Sequence, residues 1–246
     1  MALREELKKQ GDWLFRWRSY LPMLLIIFAL LGMKHFEYPL HSQKLDNLWE
    51  ILCLFISLTG LGIRIFTIGR APVGTSGTNT RKQIAELLNT SGMYSVVRHP
   101  MYLGNFIIWL GVSLFFRAWW ISVLCSLIFW LYYERIIYAE EEFLRDGFGQ
   151  EFLDWAEKTP AFIPKFSQWR PSPEQFSFKK VLRNESQSLF AIISIFTFIA
   201  VISDYIVGGA FEADGMWIMI FTAGAIFYSI SRFLKKLTSV LDVDGW

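Results

Sequence analysis

Two short stretches of this chain hold residue types that can do chemistry. The first is Gly92-Met93-Tyr94-Ser95-Val96-Val97-Arg98-His99-Pro100-Met101-Tyr102-Leu103-Gly104. Pro100 suits the first turn of a helix, where its missing N–H is no loss. A helix starting there offers free N–H groups and a positive dipole end to an anion. Arg98 adds a planar fork for a carboxylate or phosphate, and His99 can bind, orient or exchange a proton. A plainer reading also holds for these residues: Arg98 as a cation at the membrane surface, and Tyr102 as an aromatic of the interfacial belt.

The second stretch is Glu140-Glu141-Glu142, followed by Phe143-Leu144, Phe148-Gly149 and Phe152. Neighbouring carboxylates on a helix point about 100° apart and so address different partners. One can hold a cation while another faces water. The alternative is a solvated face with Glu141 paired to Arg145 at i,i+4. Glu50, Arg64, Asp204 and Asp214 fall at the ends of apolar runs, where anchoring or snorkelling accounts for them. Other chemistries are excluded. There is no Gly-rich strand-to-helix fingerprint, Walker loop or HExxH pattern, and three histidines (His35, His41, His99) fall too far apart for a histidine metal site. The two cysteines, Cys53 and Cys125, lie inside apolar runs, so neither a disulfide scaffold nor a cysteine zinc cluster is expected. A net charge of +2 gives no case for nucleic acid.

What must position these stretches is a bundle of membrane helices. Apolar residues make up 53% of the 246, aromatics 17% and charged residues only 19%, against ~25% charged in an average soluble domain. A span needs about 20 mostly apolar residues. Six stretches qualify: Trp17–Phe36, Leu48–Ile68, Met101–Phe116, Ala118–Tyr138, Ser188–Val207 and Gly215–Ile230. The third and fourth are split only by Arg117-Ala118, which predicts a tight helical hairpin. The first lacks a small-x-small cleavage site after Leu31-Gly32-Met33-Lys34, so it is read as a span rather than a signal peptide. All but Lys34, Lys44 and Arg117 of the 24 Lys and Arg fall on one side of this topology, which puts both termini and the polar segments in the cytoplasm. The expectation is thus an all-α integral membrane protein of about six spans. The chain divides into N-terminal spans (1–60), a core (61–165) and a linker with two further spans (166–246). Phe166–Gln187 reads as a surface linker, Lys82–Leu88 as a short helix-like stretch and Gly74–Thr80 as a flexible loop able to gate the site.

Taken together, the two stretches resemble a known family. Gly-x-Tyr-x-x-x-Arg-His-Pro-x-Tyr-x-Gly at 92–104, a helical hairpin, then Glu-Glu-x-x-Leu and Phe-Gly at 140–149 resemble the isoprenylcysteine carboxyl methyltransferases, a superfamily that includes phospholipid methyltransferases. Trp155 and the run Thr159-Pro160-Ala161-Phe162-Ile163-Pro164 are similar to that family's closing Pro-rich stretch. The resemblance covers about Leu61 to Pro164. It implies a membrane methyltransferase, in a bacterial inner membrane, that uses S-adenosylmethionine without a Rossmann domain and acts on a lipid or lipidated substrate, with no metal. Its cofactor pocket would be cytoplasmic, formed by the loop before span 3 and the helix after span 4. By the resemblance, Tyr94, His99, Pro100, Met101, Tyr102, Gly104 and Glu140 hold the cofactor, with the stretch Glu86–Asn89 beside it. Glu140 and Glu141 would answer the cofactor's positive charges. Arg98 would hold an anionic acceptor, and Arg135, one turn before the carboxylates, is a second candidate for that task. Arg98 and Glu141 are the expected catalytic pair. The acceptor is a lipid phosphate, as in the similar lipid A phosphate methyltransferases, or a prenylcysteine carboxylate. Two alternatives remain. One is a sterol-reductase-like enzyme using NADPH on a related fold, although only two spans precede the pocket here. The other is a transporter or scaffold, although the ionisable residues keep to span ends.

Overall fold

A computed structural model of the chain describes residues 2–17, 43–72, 75, 85–208 and 215–243, and all its regular elements are helical. They are α1 (Leu3–Trp17), α2 (Gln43–Gly69), α3 (Pro100–Phe115), α4 (Trp119–Phe148), α5 (Gln150–Lys158), α6 (Phe178–Gly208) and α7 (Gly215–Leu237), with a 3-10 turn at Gly92–Ser95. Four of them are long and apolar enough to cross a membrane: Leu45–Gly69, Trp119–Phe148, Phe178–Ile206 and Gly215–Leu237. This is a multi-pass, all-helical membrane protein among the described residues. The count of about six is not reached there. Of the two remaining expected spans, Trp17–Phe36 falls outside the described residues apart from Trp17 itself, and Met101–Phe116 corresponds to α3, apolar but only 16 residues long. At 1.5 Å per residue α3 reaches about 24 Å, short of a ~30 Å hydrocarbon core.

The hairpin between α3 and α4 forms as the sequence predicts. Arg117 turns the chain in the left-handed region, φ 59°, which costs a non-glycine residue about 1–2 kcal/mol. Its guanidinium compensates by pairing with Asp46 and, at 3.2 Å, with Glu50, and Glu50 also accepts from Trp217 Nε1 at 2.8 Å. These contacts tie the hairpin to α2 and α7. At its other end α4 runs on for 30 residues, about 45 Å. Its apolar part spans, and the charged C-terminal part carrying Glu140–Glu142 projects beyond. Gly149, at φ 55°, breaks the helix with a conformation that favours glycine and starts α5.

Close packing of α2 on α3 sets the frame. A Cβ on Gly60 would lie 2.5 Å from the Gly104 carbonyl, one on Gly104 2.6 Å from Arg64 Cγ, and one on Gly111 2.6 Å from the Cys53 carbonyl. Small residues let helix backbones approach where lipid offers no hydrophobic drive to association. Ser57 donates to the Ile108 carbonyl (2.8 Å) and Trp49 to that of Leu114 (3.0 Å) along the same seam. On the far side α1 lies against α4, through Arg4–Glu142, Lys8–Asp146 (3.3 Å) and Tyr132 Oη to the Leu14 carbonyl (3.1 Å). α6 packs along α2 and begins ten residues earlier than expected. Phe166–Gln187 is therefore a linker only up to Ser177, and the rest of it is helix. Of the remaining expectations, Gly74–Thr80 lies outside the described residues except Thr75. Lys82–Leu88 is described only from Ala85, where it is not helical.

Replacing Gly104 by Leu tests this seam. Overpacking of this kind costs about 1–3 kcal/mol, and thermal unfolding in detergent is expected to show that loss, while Gly62→Ala, which meets nothing within 4 Å, leaves stability unchanged.

Candidate active site

The motif before α3 is shaped by backbone hydrogen bonds to a segment far along the chain. Arg98 N–H donates to the Pro160 carbonyl (2.9 Å), Lys165 N–H to Val96 (2.9 Å) and Gly92 N–H to Arg170 (2.9 Å). Ser95 Oγ donates to the Gly92 carbonyl (2.7 Å) and accepts from Arg170 N–H (2.9 Å). Gly92 sits at φ 58°, which favours glycine at that turn. Trp155 on α5 donates from Nε1 to the Tyr94 carbonyl at 3.1 Å and packs with Leu88, Leu144 and Phe152. The Pro-rich run therefore closes over Val96–Arg98 and fixes where α3 starts.

At that start the two charged stretches meet. His99 is 6% exposed and lies between two carboxylates: its Nε2 is 2.9 Å from Glu141 Oε1 and its Nδ1 3.8 Å from Glu140 Oε2. An ionised carboxylate only accepts, so Nε2 carries the proton and donates it to Glu141. Arg98 Nε faces the same oxygen of Glu141 at 3.2 Å, an ion pair without the alignment of a hydrogen bond, while its Nη1 donates to the Ala156 carbonyl at 3.0 Å. Glu142, third of the run, turns away to Arg4 and to Arg145 (2.9 Å). The expected Glu141–Arg145 pair is thus replaced by Glu142–Arg145 at i,i+3. His99 also stacks on Tyr102 (5.7 Å between ring centres), which in turn packs on Tyr133 (4.9 Å). Burial, reinforced by the charge of Glu140, pushes the Tyr94 phenol above its ordinary value and keeps it neutral.

These residues border a cavity of about 500 Å³. Of the residues expected at the site, Tyr94, Arg98, His99, Pro100, Met101, Tyr102 and Glu140 line it, and so do Leu87, Leu88 and Asn89 from the stretch before the motif. Glu141 does not; it holds Arg98 and His99 from behind. Gly104 packs on Gly60 and Arg64 rather than on the cavity. Arg135 points away, donating to Gln10 Oε1 of α1 (3.0 Å) and to the Leu131 carbonyl (2.7 Å). The sequence reading missed a polar band on the opposite wall. Arg64 bonds Glu185 through Nε (3.0 Å) and Nη2 (2.7 Å) and also reaches Asn105, whose Nδ2 donates to Tyr133 Oη at 3.1 Å. Among the described residues no group of three His, Cys, Asp or Glu side chains is placed to hold a metal.

Comparison with known proteins bears on this geometry. Residues 52–151 match the phospholipid methyltransferase family. A probable protein-S-isoprenylcysteine O-methyltransferase of Oryza sativa subsp. indica is 30% identical over 146 residues, 58% of this chain and 75% of that protein. The chain belongs to the isoprenylcysteine and phospholipid methyltransferase family. Two metal-resistance relatives are also similar. The cobalt-zinc-cadmium resistance protein CzcN of Cupriavidus metallidurans is 33% identical over 53% of this chain, and the nickel-cobalt-cadmium resistance protein NccN of Alcaligenes xylosoxydans xylosoxydans 33% identical over 53%. The chain matches a little over half the length of these two, 57% and 58%. No solved structure matches it. The residues matched to the phospholipid methyltransferase family contain α3, α4 and both charged stretches of this methyltransferase-family chain, and they stop before the Pro-rich clamp and α6.

Amide hydrogen exchange tests the clamp. The N–H groups of Gly92, Arg98 and Lys165 are expected to exchange slowly and as one unit, like helix interiors. Exchange at the rate of open loops would show that the Pro-rich run does not hold the motif.

Proposed function

We propose that this protein is an S-adenosylmethionine-dependent O-methyltransferase acting on the anionic head of a membrane lipid or lipidated terminus. The reading places the reaction at the cytoplasmic face of a bacterial inner membrane, with six spans and both termini inside. The observation that carries it is the meeting, at one end of the cavity, of the Glu140 carboxylate with the N-terminus of α3. An amino-acid-bearing cofactor presents both an ammonium and a carboxylate. Glu140, 14% exposed, would hold the ammonium. The N-terminal turn of α3, positive end of the helix dipole and without a side-chain cap from His99, would take the carboxylate. Leu88, Tyr94, Leu144 and Trp155 give apolar walls for a nucleoside ring. When bound, S-adenosylmethionine supplies an electrophilic methyl on a sulfonium for in-line displacement by an acceptor oxygen.

The protein's own work is then positioning and exclusion of water, which can lower such a barrier by several kcal/mol. An anionic acceptor is already ionised and needs no general base. It needs a cation that holds it without taking a proton, and a guanidinium does this because it stays charged. Arg98 lines the cavity with that role, and Glu141 and the Ala156 carbonyl fix its plane. Glu141 is thereby a positioning residue. A phosphate head is favoured over a carboxylate by the basic residues Lys165 and Arg170 on the segment that leads into α6 and Lys179 and Arg183 in its first turns, which suit an anionic lipid surface. The cytoplasmic orientation is supported by the Lys and Arg distribution, all of it on the cavity's side of the topology except Lys34, Lys44 and Arg117.

Calorimetry with S-adenosylhomocysteine on purified protein tests the cofactor assignment. Glu140→Gln removes a charge-assisted bond of about 1.5–3 kcal/mol, so affinity should fall about tenfold to a hundredfold. Arg98→Lys should keep affinity and lose turnover, and Arg135→Gln should change neither. Absent binding by the unaltered protein, or binding of NADPH in its place, would overturn the assignment.

A further inference from the structure

The cavity does not end at the cofactor residues. It continues as a groove between α3 and α6, two helices that touch only sparsely while α2 packs along both. The lining residues of α6 include Asn184, Gln187, Ser188, Ala191, Ile192 and Ile195, a spacing that puts them on one helical face. Those of α3 include Asn105, Ile108, Trp109 and Val112, again one face. Both stripes change character in the same direction. They are polar beside the Arg64–Glu185 pair and apolar from Ala191 and Ile108 onward; the lining runs about 16 Å along α6 from Asn184 to Ile195, and its apolar part about 6 Å. Gln187 and Ala191 are exposed, so the groove opens sideways at the level of the apolar helices rather than only toward water. The buried pair stands where the groove changes: Glu185 is 2% exposed and Arg64 17%. It grips α6 against α2 through a two-pronged contact, with Ser188 3.4 Å from the same guanidinium.

We propose that α6, which lies outside the residues matched to the methyltransferase family, is the wall that selects the acceptor. It takes the head-proximal part of one apolar chain between Ala191–Ile195 and Ile108–Val112, the rest running out through the open side into the lipid, and passes the anionic head along the polar band of Asn105 and Ser188 toward Arg98. Arg64 and Glu185 are positioning residues that set the distance from α6 to α3. The occupant is an amphiphile with a single alkyl or prenyl tail and an anionic head; a phosphate and a carboxylate share that chemistry. The identification of the tail with a methyl acceptor rests on the function proposed above, but its binding does not.

Photolabelling of the full chain in lipid nanodiscs tests both parts. Two probes carry the same diazirine-bearing alkyl tail, one on a phosphate and one on S-linked N-acetylcysteine, and labelled peptides are mapped by mass spectrometry, with S-adenosylhomocysteine affinity measured in parallel. Labelling is expected on 105–112 and 188–195. In Ala191→Trp, with a ring filling the groove, the half-saturating probe concentration should rise about tenfold, with S-adenosylhomocysteine affinity unchanged as the check that the variant is folded. Ala191→Leu should give a smaller shift in the same sense. Glu185→Gln should also weaken labelling at unchanged S-adenosylhomocysteine affinity, and Glu185→Asp, which keeps the charge facing Arg64, should restore part of it. Labelling by one probe alone supports the groove and identifies the head. Labelling confined to outward residues such as Phe198, Ile218 and Phe227, insensitive to Ala191→Trp, would overturn the groove. Unaltered labelling in Glu185→Gln would overturn the positioning role. Groove labelling in a protein that does not bind S-adenosylhomocysteine would leave the groove standing and remove the methyl-transfer reading instead.

Discussion

One carboxylate holds the two charged stretches of this protein together. Glu141 accepts from His99 Nε2 at 2.9 Å and faces Arg98 Nε at 3.2 Å through the same oxygen, so the start of α3 and the end of α4 meet on one carboxylate. Without a partner, a carboxylate of that burial, or a histidine only 6% exposed, would be costly to bring out of water. Together they satisfy one another, and the contact fixes three things at once: the rotation of α4, which turns Glu140 to the cavity and Glu142 to α1; the tautomer of His99; and the plane of Arg98. The Pro-rich clamp over Val96–Arg98 and the α1 brace on Glu142 both act on this contact from outside it.

The second constraint is the membrane. Helices in lipid gain little from burying apolar surface against one another, so this bundle is held by close backbone approach and by polar links at its ends. The glycine seam of α2 and α3 supplies the approach. Arg117 with Asp46 and Glu50 supplies a polar link at one end, and Arg64 with Glu185 at the other. The latter pair serves the site as well, because α2 presents Arg64 to α3 through Asn105 and to α6 through Glu185. Three of the cavity's walls, from α2, α3 and α6, therefore keep a spacing that depends on few contacts.

Much of this was legible in the sequence, and the limits have physical causes. The long apolar runs, the α3–α4 hairpin and the extension of α4 by an acidic segment all follow from local pattern. The coming together of the Arg98-His99 and Glu140-Glu141 stretches came from family resemblance, since neither run names its partner. Arg64 looked like a snorkelling residue because Glu185 lies 121 positions away. The same gap hid the start of α6, whose first residues are charged and polar since they face the cavity and headgroup level rather than lipid. Arg135 seemed near the carboxylates in sequence, but five residues turn about 140° around a helix, which carries it to the α1 side. Gly104 sits in the motif for a reason that only its neighbours Gly60 and Arg64 reveal.

The account stands or falls on a transfer of methyl to a lipid acceptor. The direct measurement is incubation of the purified protein with tritiated S-adenosylmethionine and a bacterial membrane lipid extract, followed by counting of the organic phase before and after mild alkali. The account predicts label in the lipid, lost in Glu140→Gln, and stable to alkali if the acceptor is a phosphate. Release of the label as methanol by alkali would assign a carboxylate instead. An organic phase without label, from protein that binds S-adenosylhomocysteine and a tailed probe, would contradict it.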